Sequence, residues 1–331
     1  MTLEFLNGGA LIRAEAPAKI NLFFEILGKR DDGYHEVETL VAPIDLCDRL
    51  EFYLAPRDDS PFARFALEVC DDRGAPIADV PTDSRNLVAR AVELFARECE
   101  RSGARVRNSL RRVKLTKRIP TRAGLGGGSS DAATTLVALN ALLDAPLAAA
   151  DLFRLAARLG SDVPLFLVGG GAVCRGRGEL VEPYDVPELH LALVKPVEGV
   201  ATAAAYALCD ARATQPRRSL DDLLTRLSSS KTREEFDLAL AAGAFNRLEE
   251  ACDATSSALP RWRAFVGSAR GALTARTTGS GSASYALFRT RADALSGVEE
   301  LRTRVAPGAY ETLCASKSVG RVAEPFISKL R

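Results

Sequence analysis

The segment from Pro120 to Ser130 reads Pro-Thr-Arg-Ala-Gly-Leu-Gly-Gly-Gly-Ser-Ser. Glycines at 124, 126, 127 and 128 let the backbone come close to an anion and take turns that a side chain would block. An Ala- and Leu-rich run with helical spacing, Asp131 to Leu143, follows at once. A glycine loop that opens into a helix offers free backbone N–H groups at the positive end of the helix dipole, and Ser129 and Ser130 add hydroxyl donors. The chemistry that suits this arrangement is the holding of phosphate groups. No Lys follows the last glycine, which excludes a Walker A loop. Ser129 stands where a dinucleotide fingerprint needs its third glycine. A flexible linker would not be expected between a strand-like run and a strong helix.

A second cluster lies near the N-terminus. Ala18 to Leu27 alternates, with Ile20, Leu22, Phe24 and Ile26 on one face and Lys19, Asn21, Phe23 and Glu25 on the other. That is a strand with a polar second face fit for function. Asp31-Asp32-Gly33 reads as a turn that exposes Tyr34 and His35 to a ligand.

The elements that must position these groups follow from periodicity. Asn86 to Glu100 is an amphipathic helix closed by Gly103, and Arg112 to Lys117 is a short strand. Leu152 to Leu159 forms a helix with Asp151 as N-cap and Gly160 as its stop. Val163 to Val168 reads as β-like and ends in three glycines. Pro183, Pro187 and a fresh strand at Leu189 to Val194 place a boundary near residue 185, dividing the chain into 1–185 and 186–331. A helix at Leu220 to Leu227 and a strand at Ala283 to Phe288 belong to the second part. The class is α+β in two halves.

Composition narrows the function classes. A chain of 331 residues with 47% hydrophobic and 26% charged residues can bury its own cores. A net charge of +1 supplies no basic field for nucleic acid. The seven cysteines contain no C-x-x-C pair, and His35 and His190 are the only histidines, which argues against a zinc site or a disulfide framework. The first twenty residues lack a secretion-signal layout, and the least polar stretch, Val163 to Cys174, is too short to cross a bilayer. These features lead to the expectation of a cytoplasmic protein with no nucleic-acid or membrane partner, as a monomer or weak homodimer.

The glycine loop resembles the P-x-x-x-G-L-G-[GS]-[GS]-S-[SA] signature of the GHMP kinases, small-molecule kinases that include galactokinase and homoserine, mevalonate and phosphomevalonate kinases. Four runs are similar to the branch of that family whose acceptor carries a cytidine diphosphate group: residues 16–40, with Asp32-Gly33-Tyr34-His35; residues 117–133; Leu159 to Leu167; and Thr278 to Phe288. The resemblance implies a ribosomal protein S5 domain 2-like N-terminal half, a ferredoxin-like C-terminal half, and a cleft between them for ATP with Mg²⁺ and the cytidine compound. It implies phosphorylation of the 2-hydroxyl of a methylerythritol, a step toward isoprenoid precursors. Asp162 would accept the hydroxyl proton, and Lys19 would polarise that hydroxyl and balance charge at the phosphoryl group. Residues Pro120, Thr121, Arg122, Ala123, Gly124, Leu125, Gly126, Gly127, Gly128, Ser129 and Ser130 would hold the ATP phosphates, and Asn86 and Lys117 would lie near the adenine. Asn21 and His35 would hydrogen-bond substrate, Tyr34 and Tyr206 would stack on cytosine, and the Gly279-Ser280-Gly281 turn would close over the reacting centre.

Plainer readings stand beside these. Asp162, just ahead of Val163-Pro164, reads on its own as an Asx-turn residue, Tyr34 and Tyr206 as packing rings, and Gly279 and Gly281 as a hairpin turn. Other GHMP kinases, or an inactive ligand-binding protein on the same scaffold, are the competing functions. Thr277-Thr278 and Arg247 depart from the family pattern, Arg247 by placing a base where an acid is usual. Arg57 to Arg64 and the C-terminus look like surface additions.

Overall fold

The computed structural model describes residues 3–59, 61–62, 65–143, 147–211, 216–306 and 308–320. The chain begins with β1 (Leu3–Leu6), β2 (Leu11–Lys29), β3 (His35–Pro56) and β4 (Ala66–Cys70). Next come α1 (Leu87–Ser102), β5 (Asn108–Thr116), α2 (Gly127–Asn140), α3 (Ala149–Leu159), β6 (Ala172–Arg175) and β7 (Leu180–Pro183). The later part comprises β8 (His190–Pro196), α4 (Thr202–Ala211), α5 (Leu220–Ser229), α6 (Arg233–Gly243), β9 (Phe245–Asn246), α7 (Glu249–Thr255) and α8 (Ala258–Gly267). It ends with β10 (Thr274–Thr277), β11 (Ser284–Phe288), α9 (Arg291–Thr303) and β12 (Tyr310–Lys317).

Two sheets carry the molecule. The first has the order β1-β2-β3-β5-β4, with β6 and β7 continuing from β3 and the two-residue β9 lying parallel to β2. The second has the antiparallel order β10-β11-β8-β12. With α8 and α9 as its crossovers this is ferredoxin-like connectivity, interrupted between β8 and α8 by α4 to α7. The alternation over residues 18–27 belongs to a longer strand, bent by bulges at Pro17/Ala18 and Asn21/Phe23.

The sheets and helices pack through successive layers of buried side chains. Phe52, Phe95, Leu136, Leu139 and Leu155 form a core in which α1, α2 and α3 pack with the first sheet. Ile20 and Leu22 from β2 meet Leu191 and Leu193 from β8 and Tyr285 from β11, so a second core joins the two sheets. The alternate residues of β8, Ala192 and Val194, turn instead to Val266, Phe288 and Leu301 beneath α8 and α9. A strand covered on both faces reads as a continuous apolar run, as 191–194 does.

Several local expectations need correction. Val163 to Val168 is not a strand: Pro164–Leu167 is a buried 3₁₀ turn with Pro at its first position. A short apolar run has no period of its own, and the proline ring favours a helical start. Helix α2 begins at Gly127, inside the glycine loop, rather than at Asp131. Asp151 sits within the first turn of α3, whose N-cap is Ala148, and bonds Arg154 at 2.9 Å. The segment after Arg57 is more than a surface addition. Ser109 donates to Asp58 at 2.8 Å, and buried Phe62 meets Phe95 edge-on with centroids 5.8 Å apart. Residues 60, 63, 64 and 321–331 of the two proposed additions lie outside the described residues.

Candidate active site

Two glycine loops cross at the centre of the molecule. The loop before α2 is fixed to β2 where the Lys19 amide donates to Leu125 O at 2.9 Å. The turn between β10 and β11 is fixed to the same loop where the Ala283 amide donates to Ala123 O at 3.2 Å. A Cβ on Gly281 would fall inside the Ala123 carbonyl group. One on Gly124, whose φ is +77°, would collide with the Thr278 carbonyl oxygen and lie 2.8 Å from the Gly281 nitrogen. Glycine is required at both places because backbone touches backbone. The N-cap of α2 is Gly126, which has no side chain to satisfy the first amides, so Gly127, Gly128 and Ser129 open with unengaged N–H groups onto the cleft they line.

The cleft measures about 1020 Å³. That is the upper end of the range for single-ligand pockets and enough for two substrates side by side. Lys19 lies on its floor. The Lys19 ammonium donates to Asn21 Oδ1 at 2.7 Å and stands 3.7 Å from Asp162 Oδ2. Lys19 is 6% exposed at its side chain and Asp162 47%, so the cation is the buried partner and the carboxylate faces the cleft. The resemblance expects these two side chains together, and the fold brings them there from β2 and from the turn after α3.

Asn21, expected to hydrogen-bond substrate, has both ends of its amide engaged inside the protein. Its Nδ2 donates to Thr39 at 2.9 Å, and its Oδ1 accepts from Lys19 and, at 3.3 Å, from the Thr278 hydroxyl. The Asn21 amide donates to Thr278 Oγ1 at 3.1 Å, and the buried Tyr285 hydroxyl donates to Asn21 O at 2.9 Å. Thr278, one of the two departures in the last loop, thus ties that loop to the Lys19 strand. Asn246 pins the loop from the other side: its Nδ2 donates to Thr277 O and to Gly279 O, both at 2.8 Å, and its Oδ1 accepts from the Leu248 amide at 3.0 Å. Asn246→Ala would strand three buried backbone groups. It is expected to cost about 2–3 kcal/mol and to lower kcat about tenfold by loosening the loop, as read by denaturant melts and steady-state rates. Arg247 grips buried Glu25 with two 2.6 Å bonds, so the base at this position has an acid waiting on β2.

Lys117 is buried between Asp48 and Asp131, 2.9 Å from the latter. Burial opposes its charge, and the two carboxylates outweigh burial and raise its pKa. Asp131 pays the balance: burial pushes its carboxyl above the ordinary range, Lys117 partly offsets this, and Asp48 adds to it. Asp48 also accepts from the Arg118 and Ile119 amides at 2.6 and 2.8 Å, which fixes the entry to the glycine loop. Asn86 caps α1, accepting from the Val88 amide at 2.9 Å. Lys117 and Asn86 both line the cleft while carrying these structural bonds. Ser130 does not line it; its hydroxyl is buried without a hydrogen-bond partner behind Ser129, which does.

At the far end of the cleft the rings gather. Tyr34 is 52% exposed, with the Arg177 guanidinium 4.9 Å from its centroid. Tyr206 lies against His35 with centroids 4.7 Å apart, and burial raises the Tyr206 hydroxyl. Sequence reasoning missed Thr39, Asn246, Tyr285, Arg177 and Asp210. Two of them left a signal: Asn246 opens the stretch in which Arg247 departs from the family pattern, and Asp210 completes the i, i+4, i+8 spacing of Thr202, Tyr206 and Asp210 on one helix. Thr202 Oγ1 reaches Ser280 Oγ at 2.9 Å, so α4 runs from the β10–β11 turn to the rings at the far end of the cleft. Among the described residues no helix is long and apolar enough to cross a membrane, and no group of three His, Cys, Asp or Glu could hold a metal ion.

The chain is similar to known kinases in sequence and in fold. Residues 86–170 match the GHMP kinases N terminal domain. A 4-diphosphocytidyl-2-C-methyl-D-erythritol kinase from Methylacidiphilum infernorum is 39% identical over 84% of this chain and 86% of its own. The one from Pelotomaculum thermopropionicum is 48% identical over 59% of this chain and 63% of its own, a little under two thirds of its length. The crystal structure of a 4-(cytidine 5'-diphospho)-2C-methyl-D-erythritol kinase superposes with a TM-score of 0.70 at 32% identity, covering 93% of this chain and 99% of that one.

Proposed function

The chain belongs to the 4-diphosphocytidyl-2-C-methyl-D-erythritol kinases of the GHMP kinase family, and from that membership we propose the division of labour in its cleft. The reaction is transfer of the terminal phosphoryl group of ATP to the 2-hydroxyl of 4-diphosphocytidyl-2-C-methyl-D-erythritol, giving the 2-phosphate and ADP on the route to isoprenoid precursors. The observation that carries the site assignment is the Lys19–Asp162 pair at 3.7 Å beside the open amides of α2.

Asp162 accepts the proton of the acceptor hydroxyl as its oxygen attacks the γ-phosphorus. Lys19, held by Asn21, faces the charge that spreads over the transferred group, and the amides of Gly127, Gly128 and Ser129 hold the other phosphates. Little covalent work is left to the protein, so placing these groups is most of the catalysis. Mg²⁺ fits the donor set: the Ser129 hydroxyl and the exposed Asp162 carboxylate are hard oxygen donors, too few to bind the ion alone and suited to one that arrives on phosphates, where it would neutralise charge. Tyr34, His35 and Tyr206 form the base pocket, Asn86 and Lys117 border the adenine, and Gly279-Ser280-Gly281 covers the reacting centre. Residues 1–185 form the ATP-binding domain and 186–331 the substrate domain, a division supported by the passage from one sheet to the other between Pro183 and His190.

The test is ADP release with ATP and Mg²⁺, comparing the cytidine acceptor with homoserine, mevalonate and no acceptor. Turnover confined to the cytidine compound is expected. Turnover with another acceptor would displace the substrate assignment, and none with any acceptor would displace the kinase reading.

A further inference from the structure

One carboxylate at the ring end of the cleft is unused by phosphoryl transfer. Lys29 and His35 face each other across the β2–β3 hairpin as a register pair. Asp210, reaching down from α4, binds both: Asp210 Oδ1 is 2.6 Å from His35 Nε2, and Asp210 Oδ2 is 3.2 Å from Lys29 Nζ. Burial works to raise this carboxyl, and the bonds from His35 and Lys29 outweigh it and hold the pKa below its ordinary value. Tyr206, one turn earlier on the same helix face, lies against the same imidazole.

An ionised carboxylate has no proton to give, so a 2.6 Å contact with Nε2 requires the ring to carry its hydrogen there. A neutral imidazole has one N–H, and with Nε2 protonated the other nitrogen, Nδ1, is left as an acceptor. An acceptor can receive the 4-amino group of cytosine. Uracil has a carbonyl oxygen at that position, and two acceptors cannot pair. We propose that Asp210 is a positioning residue that sets the tautomer of His35 and so makes the pocket select cytosine over uracil. The proposal rests on the reading of this pocket as the base site. It adds the feature that decides which pyrimidine is accepted.

The test combines kinetics with the imidazole ¹⁵N NMR spectrum, which is readable because the chain holds only two histidines, His35 and His190. The acceptors compared are the cytidine compound and its uridine counterpart. Wild type should show His35 as the neutral ring protonated at Nε2 alone; a doubly protonated ring, whose Nδ1 would donate, overturns the proposal. Asp210→Ala should mix the tautomers, raise KM for the cytidine acceptor about tenfold, and cut the cytidine-over-uridine preference about tenfold or more. It should leave kcat at saturating acceptor and KM for ATP within about twofold. Asp210→Leu, which keeps volume and removes the acceptor, serves with the same readouts should the alanine variant not fold. Unchanged preference in the variant overturns the proposal, as does an unchanged tautomer. An equal loss of ATP affinity also overturns it, since that marks a merely structural role. A wild type inactive on the cytidine compound would instead sink the functional reading itself.

Discussion

Asp162→Asn is expected to lower kcat by about 10²–10⁴-fold while leaving the Kd for ATP within a factor of about two. The substitution keeps the shape of the side chain and removes its capacity to take a proton. It also removes the charge opposite Lys19, 3.7 Å away. Asp162 is half exposed and carries no packing duty among the buried cores, so the fold should be indifferent to the change. Steady-state rates with the cytidine acceptor, paired with nucleotide titration, separate the two effects. Turnover near that of wild type would take Asp162 out of the base role and return it to the plainer one of holding the turn before Val163. Equal weakening of nucleotide binding would place it among the ATP contacts instead.

The second large effect is expected from a single methyl group. Gly281→Ala places a Cβ inside the Ala123 carbonyl group, where neither partner is a flexible side chain that could swing away. The two loops must separate, and with them go the Ala283–Ala123 hydrogen bond and the bonds of Thr278 to Asn21. Lys19 is oriented by Asn21, so the displacement is carried directly to the Lys19–Asp162 pair. A shift of about 1 Å at such a site costs on the order of 10²-fold in rate. We expect kcat/KM to fall by at least about that much for both substrates and the melting midpoint to drop by about 5 °C or more. Gly320→Ala, where nothing stands within 4 Å of an added Cβ and the backbone is outside the left-handed region, is the control for glycine replacement in general. Full activity and stability in Gly281→Ala would mean that the loops do not cross as described.

Much of the architecture was legible because it is written in short-range patterns. Gly103, with φ of +67°, ends α1 where the periodicity stops, and Asn86 caps it two residues ahead of Val88. The glycine block before an Ala-rich run marked the open start of α2, since a helix start without a capping side chain is a local property of the sequence. The boundaries that went astray did so for physical reasons. Val163 to Val168 is buried on all sides, so no polar residue reports its period. Asp151 looked like a cap and lies inside a helix that Ala148 begins without one.

The site divides along the same line. The types and spacing of residues alone determined that there is a glycine-rich helix start after 120–126, a polar strand face with Lys19 and Asn21, and a ring-bearing turn at 34–35, because each is built within one segment. Resemblance to known kinases named Asp162 and Tyr206. Only the tertiary structure decided that Asn21 and Thr278, 257 residues apart, share hydrogen bonds, that Asn246 holds the last loop, and that Asp210 takes the far nitrogen of His35. Those contacts arise where β2, β9, α4 and the β10–β11 turn converge on one cleft. Convergence is a consequence of how the two sheets pack through their shared core, and no local pattern of polarity records which distant segment a buried polar side chain will meet.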